Sequence, residues 1–173
     1  MKTLIALGVC FLGGVLLLRA ADGAQWTLVR QRIAKEFPGV PQLATRDLAA
    51  WLADGERKKP LLLDVRAPEE YAVSHLPGAR RADPEARAAQ LDLGIGKDQP
   101  IVTYCSVGYR SSALAERLRQ AGYTQVQNLA GSIFQWANED RPLERDGKPA
   151  TLVHPYNSFW SGMLKRERRA PSK

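Results

Sequence analysis

Two cysteines and two histidines in 173 residues leave little from which to build a covalent or metal scaffold. Cys10 and Cys105 are too few for a disulfide-stapled fold. His75 and His154 have no cysteine or carboxylate cluster at ligand spacing around them, so no metal is expected. The longest apolar run, Thr3 to Leu18, falls short of the roughly 17–25 residues of a spanning helix, against a polytopic membrane protein. Aromatic residues make up only 8% and no biased repeat occurs, against collagen-like and low-complexity classes. What is present, 45% hydrophobic and 25% charged residues, suits one folded domain of about 100–150 residues with short extensions.

Lys2, the apolar run and the small residues Ala20, Ala21, Gly23 and Ala24 have the layout of a secretory signal, with Ala21-Asp22-Gly23 as a cleavage site. Residues 1–23 are therefore expected to be a signal peptide or an N-terminal anchor. Both put the remainder outside the cytoplasm, in the periplasm or anchored facing it. Without the leader Cys105 is the sole thiol, either a buried small hydrophobe or a reactive group. Nucleic acid is the wrong partner for an exported domain, despite a net charge of +7. That charge is concentrated in Arg80-Arg81, Arg117/Arg119 and the tail Lys165-Arg166-Glu167-Arg168-Arg169, which is expected to be solvated.

Trp26, Val29, Ile33 and Phe37 recur at helical spacing, so residues 24–42 are read as an amphipathic helical arm and a candidate for membrane-surface contact. Thr45 is expected to cap a helix over 46–53 whose apolar face is Leu48, Trp51 and Leu52. Leu61 to Val65 and Ile101 to Tyr104 are continuous apolar or β-branched runs, suited to strands covered on both faces. Glu69 to Val73, a helix opened by Asp83-Pro84 and carrying Ala86, Ala89 and Leu93, and a helix striped by Leu114, Leu118 and Ala121 lie between and after them. Val126 to Leu129 adds a strand and Gly131 to Trp136 a turn into a further helix; beyond Arg141 the pattern weakens. This alternation predicts an α/β fold in three layers, a mainly parallel sheet with helices on both faces. His154-Pro155-Tyr156-Asn157-Ser158-Phe159-Trp160, three aromatics in a polar tail, is expected to dock on the domain, beside the active loop or as a core extension.

Cys105-Ser106-Val107-Gly108-Tyr109-Arg110 joins the end of a buried strand to the start of a helix, where an open α/β sheet places its ligand crevice. Loop N–H groups, the helix N-terminus and the Arg110 guanidinium all favour a thiolate over a thiol there. Gly108 suits a loop that must visit positive φ.

The residues around this loop resemble the rhodanese-like (sulfurtransferase) family. The resemblance is carried by Leu62-Leu63-Asp64-Val65-Arg66 with Pro68-Glu69-Glu70-Tyr71, by Ser74-His75-Leu76-Pro77-Gly78-Ala79, by Tyr104 to Ser111, and by Gly131-Ser132-Ile133 with Trp136. It covers 43–142, leaving 143–173 as a C-terminal extension with a basic tail. It implies a rhodanese-like fold and a six-residue active loop, 105–110, one residue shorter than the loop of related cysteine phosphatases and arsenate reductases. Cys105 is then the catalytic nucleophile, with Ser106, Val107, Gly108, Tyr109, Arg110 and Ser111 binding the anionic donor, Ser111 placed to hydrogen-bond near the sulfur. Ser106 stands where the family often has arginine, which removes one positive charge. Asp64 and Arg66 are expected to be structural, and Glu70 and His75 to fix the loops.

The implied reaction is transfer of sulfane sulfur through a Cys105 persulfide, from a small anionic donor such as thiosulfate to a thiol or cyanide acceptor, with no cofactor. A non-catalytic binding or sensor module is the alternative, and a cysteine phosphatase or arsenate reductase a weaker one.

Overall fold

The computed structural model describes residues 23–85 and 93–171. Residues 23–36 form helix α1, which buries Val29 and Ile33 and leaves Leu28 exposed. Its apolar face is thus occupied by the protein core.

Five short strands make the central sheet: β1 (Gln42–Leu43), β2 (Leu61–Asp64), β3 (Arg80–Arg81), β4 (Ile101–Tyr104) and β5 (Val126–Leu129). Their order is β1-β5-β4-β2-β3 and every pairing is parallel, with Leu63 opposite Thr103 and Thr103 opposite Asn128. Parallel neighbours need crossovers, supplied among the described residues by α2 (Thr45–Ala53), α3 (Pro68–Val73) and α4 (Tyr109–Gln120), while α5 (Ser132–Asn138) follows the last strand. The two-residue period of the strands splits the core in two. Leu62, Val102 and Tyr104 face Leu48, Trp51, Phe134 and Trp136, while Leu63, Ile101 and Cys105 face Leu114, Ala115 and Leu118 of α4. These are the expected three layers.

Three local expectations are corrected. Thr45 does not cap α2; it is the first helical residue, and its hydroxyl donates to Glu139 Oε2 at 2.7 Å, tying α2 to α5. Helix α4 starts at Tyr109, at the expected end of the loop, where Gly108 at φ 110° turns the chain directly into it. Beyond Arg141 the chain forms a hairpin, β6 (Leu143–Arg145) and β7 (Lys148–Ala150), whose turn residues Asp146 and Gly147 both have positive φ. The basic tail is docked, with Val153 and Arg169 bridged and Arg168 paired with Asp140. The expected helix over Ala86 and Ala89 lies outside the described residues. After β7 come α6 (Ser158–Ser161) and a 3-10 turn, Arg166–Arg168, with Val153, Met163 and Leu164 buried in the main core.

Candidate active site

Cys105 follows β4, the middle strand of the sheet, at its carboxyl end. It is 1% exposed, and its Sγ accepts the Gly108 N–H at 3.1 Å. An N–H aimed at sulfur stabilises negative charge there, and positive φ at Gly108 is what turns that N–H inward. The neighbouring N–H, of Cys105 itself, donates to Ser132 Oγ at 3.1 Å. The Cys105 and Ser106 carbonyls accept the Ile133 and Phe134 N–H groups, both at 3.1 Å. The first turn of α5 therefore clamps the loop from behind. Ser132 is not among the predicted site residues, although the Gly131-Ser132-Ile133 motif that carries part of the resemblance is the signal pointing to it.

Glu70 of α3 is the loop's second support. Its Oε1 accepts from Ser106 Oγ and Arg110 Nη2, both at 3.0 Å, and its Oε2 from Arg110 Nη1 at 2.9 Å and the Ala67 N–H at 3.0 Å. Ser106 Oγ in turn accepts from Arg110 Nη2 at 3.0 Å. Serine in place of arginine thus does more than remove charge, since its hydroxyl closes a Glu70–Ser106–Arg110 ring. Burial pushes the Glu70 carboxyl up, but the hydrogen bonds and charge of Arg110 outweigh it, leaving Glu70 below the ordinary carboxylate value. Burial likewise opposes the charge on Arg110, and the Glu70 pair more than restores it.

The remaining predicted residues divide. Ser111 does not reach the sulfur; its Oγ donates to Asn128 Oδ1 at 2.6 Å, locking α4 to β5. Asp64 and Arg66 form a fully buried pair at 2.6 Å, and Arg66 also donates to the Ser74 carbonyl. Neither lines the pocket. His75 stacks on Tyr71 at 3.9 Å between ring centres and lies 3.4 Å from Glu144, which joins α3 to the hairpin.

A pocket of about 170 Å³ opens on the loop, lined by Cys105, Ser106, Val107, Tyr109 and Arg110 together with Val29, Arg32, Tyr156 and Trp160. The last four were not predicted as site residues. They come from α1 and from the aromatic segment of the tail, which docks beside the active loop. Tyr156 lies over the Arg110 guanidinium at 4.7 Å.

The Rhodanese-like domain family model matches residues 45–139, and the chain belongs to that family. Among curated proteins, an uncharacterised Bacillus subtilis protein, YqhL, is 35% identical over 82 residues, covering 47% of this chain and 64% of its own length. A Pseudomonas aeruginosa thiosulfate sulfurtransferase is 32% identical over 127 residues, covering 60% of this chain and 42% of that enzyme. The chain thus spans less than two thirds of these relatives. Among solved structures, the human single-domain sulfurtransferase TSTD1 superposes with a TM-score of 0.52 at 25% identity, covering 58% of this chain and 97% of that one. Fold and family therefore agree with the motifs, and the Pseudomonas aeruginosa and human proteins carry sulfurtransferase names.

Proposed function

We propose that this protein is an exported sulfurtransferase that carries sulfane sulfur as a Cys105 persulfide. The observation that carries this reading is the Gly108 N–H on Cys105 Sγ at the mouth of a β4–α4 loop braced by Arg110 and Glu70. The Cys105 thiolate attacks the outer sulfur of a donor such as thiosulfate; the donor's S–S bond breaks, and sulfite leaves with its electron pair. A thiol or cyanide acceptor then attacks the terminal sulfur and regenerates the thiolate. The loop holds the persulfide anion by the same N–H that holds the thiolate. The leader-like residues 1–23 support export to the periplasm, either as a cleaved signal or as an anchor.

Intact mass spectrometry after brief exposure to thiosulfate tests the chemistry. A gain of one sulfur atom that is lost in Cys105→Ala is expected. No gain with either thiosulfate or inorganic polysulfide sinks the reading and leaves a non-catalytic rhodanese-fold module.

A further inference from the structure

The family match runs from residue 45 to residue 139, yet two walls of the pocket come from outside it, Val29 and Arg32 from α1 and Tyr156 and Trp160 from the tail. We infer that these flanking segments set substrate specificity, and that they select a sulfane-sulfur donor with an apolar organic body, of the thiosulfonate class, over a compact inorganic dianion. This inference rests on the sulfur-transfer reading above.

Two independent observations carry it. The first is electrostatic. Both guanidinium groups lining the pocket already hold a carboxylate, Arg110 with Glu70 at 2.9 Å and Arg32 with Glu36 at 2.8 Å. The position after the cysteine is Ser106, whose hydroxyl belongs to the Glu70–Arg110 ring. A dianion therefore meets no cation without a partner among these groups, and a monoanion with an apolar body loses less on leaving water. The second is steric. Val29, Val107, Tyr109, Tyr156 and Trp160 make most of the wall apolar or aromatic, a surface that contacts a hydrocarbon or ring better than it does a compact anion.

The two tail aromatics are also held in place rather than loosely draped. Tyr156 sits at φ 66°, a left-handed conformation costly for a tyrosine, and its N–H donates to His154 Nδ1 at 3.0 Å. Asn157 Oδ1 accepts the Trp160 N–H at 3.1 Å and caps α6, while Phe159 meets the Trp160 ring edge-on at 5.0 Å. Such local fixing, on a segment that also supplies core residues, is what a preformed specificity wall needs.

In the reaction the Cys105 thiolate attacks the terminal sulfur of R–SO2–S⁻. The S–S bond breaks, the sulfinate R–SO2⁻ leaves with the electron pair, and the persulfide carries the remaining negative charge. No oxidant or reductant is required.

The test measures single-turnover sulfur loading of the full chain by benzenethiosulfonate, thiosulfate and inorganic polysulfide, in the parent, Tyr156→Ala and Trp160→Ala. The ratio of the second-order loading rate constants for benzenethiosulfonate and thiosulfate is the readout, because intrinsic S–S reactivity is the same for every variant. The ratio should exceed one in the parent and fall about tenfold or more in at least one variant, the scale of a lost apolar pocket contact. Tyr156 is exposed, so Tyr156→Ala keeps the test valid where loss of the half-buried Trp160 unfolds the chain. A ratio below one in the parent, or one that every folded variant leaves unchanged, overturns the inference while leaving sulfur transfer intact. Loading by none of the three donors instead defeats the sulfur-transfer reading, and this inference with it.

Discussion

Glu70 is the residue on which the loop's geometry converges, for it alone joins α3, Ser106 and Arg110 through four hydrogen bonds. Its carboxyl lies below the ordinary value of 4.5, so the stabilisation it gives is fully present above that value and is lost as pH falls through the lowered one. Glu70→Gln should therefore cost about 2 kcal/mol at neutral pH, the scale of hydrogen bonds to a charged group. The difference from the parent should shrink below the ordinary carboxylate range. Urea unfolding at a series of pH values checks this, and a difference independent of pH would contradict it. Asp64 is a separate case. It is the sole ion-pair partner of the fully buried Arg66 among the described residues, so Asp64→Ala leaves a buried charge uncompensated. A loss of about 3–5 kcal/mol in the same unfolding experiment is expected.

Between β4 and α4 the controlling feature is the positive φ of Gly108. A Cβ added there meets Asn128 Nδ2 at 3.2 Å and Ile33 Cδ1 at 3.3 Å, so α1 and β5 both press on the site. Gly108→Ala should lower stability by about 1–3 kcal/mol and slow sulfur loading more than the stability loss accounts for, since the N–H that meets Cys105 Sγ is re-aimed. Loading at unchanged rate in the folded variant would show that this N–H is dispensable. The elements that sequence patterning reads correctly are those whose signals are local. The runs Leu61 to Asp64 and Ile101 to Tyr104, the stripe on α4 and the Cys105 to Arg110 spacing are all continuous in the chain. What patterning misses is contact between distant residues. Ser111 turns to Asn128, Ser132 receives the Cys105 N–H, and Thr45 is drawn to Glu139 across the fold. The β6–β7 hairpin is missed as well: Asp146-Gly147 is a turn signal, but the strands beside it are short and carry few apolar residues, so the period-2 signal is weak.

The family segment and its flanks form one folded body. Leu143, Val153, Met163 and Leu164, all beyond residue 142, belong to the same core cluster as Trp136 and Phe134. Ser74 donates to the Leu152 carbonyl at 2.6 Å, and Gly78 to Glu144 Oε1 at 2.9 Å. His75 exchanges both backbone hydrogen bonds with Glu144 at 2.9 Å. Removing 143–173 takes away four buried apolar side chains, about 6–12 kcal/mol at 1.5–3 kcal/mol each. It also orphans the polar groups of the 74–78 turn, which packs against α3 and hence against Glu70. Total stability of a domain this size is about 5–15 kcal/mol, so a chain ending at 142 should lack a cooperative transition in urea and lose its near-ultraviolet circular dichroism. A cooperative transition at the parent's midpoint would mean that the tail rides on an autonomous domain. In that case Tyr156 and Trp160 would be a detachable wall, and the shortened chain would show directly what the bare loop does with thiosulfate. The extent of the burial argues for the opposite. The tail that gives the pocket its aromatic wall also completes the core behind the loop, so substrate preference and folding are carried by the same residues.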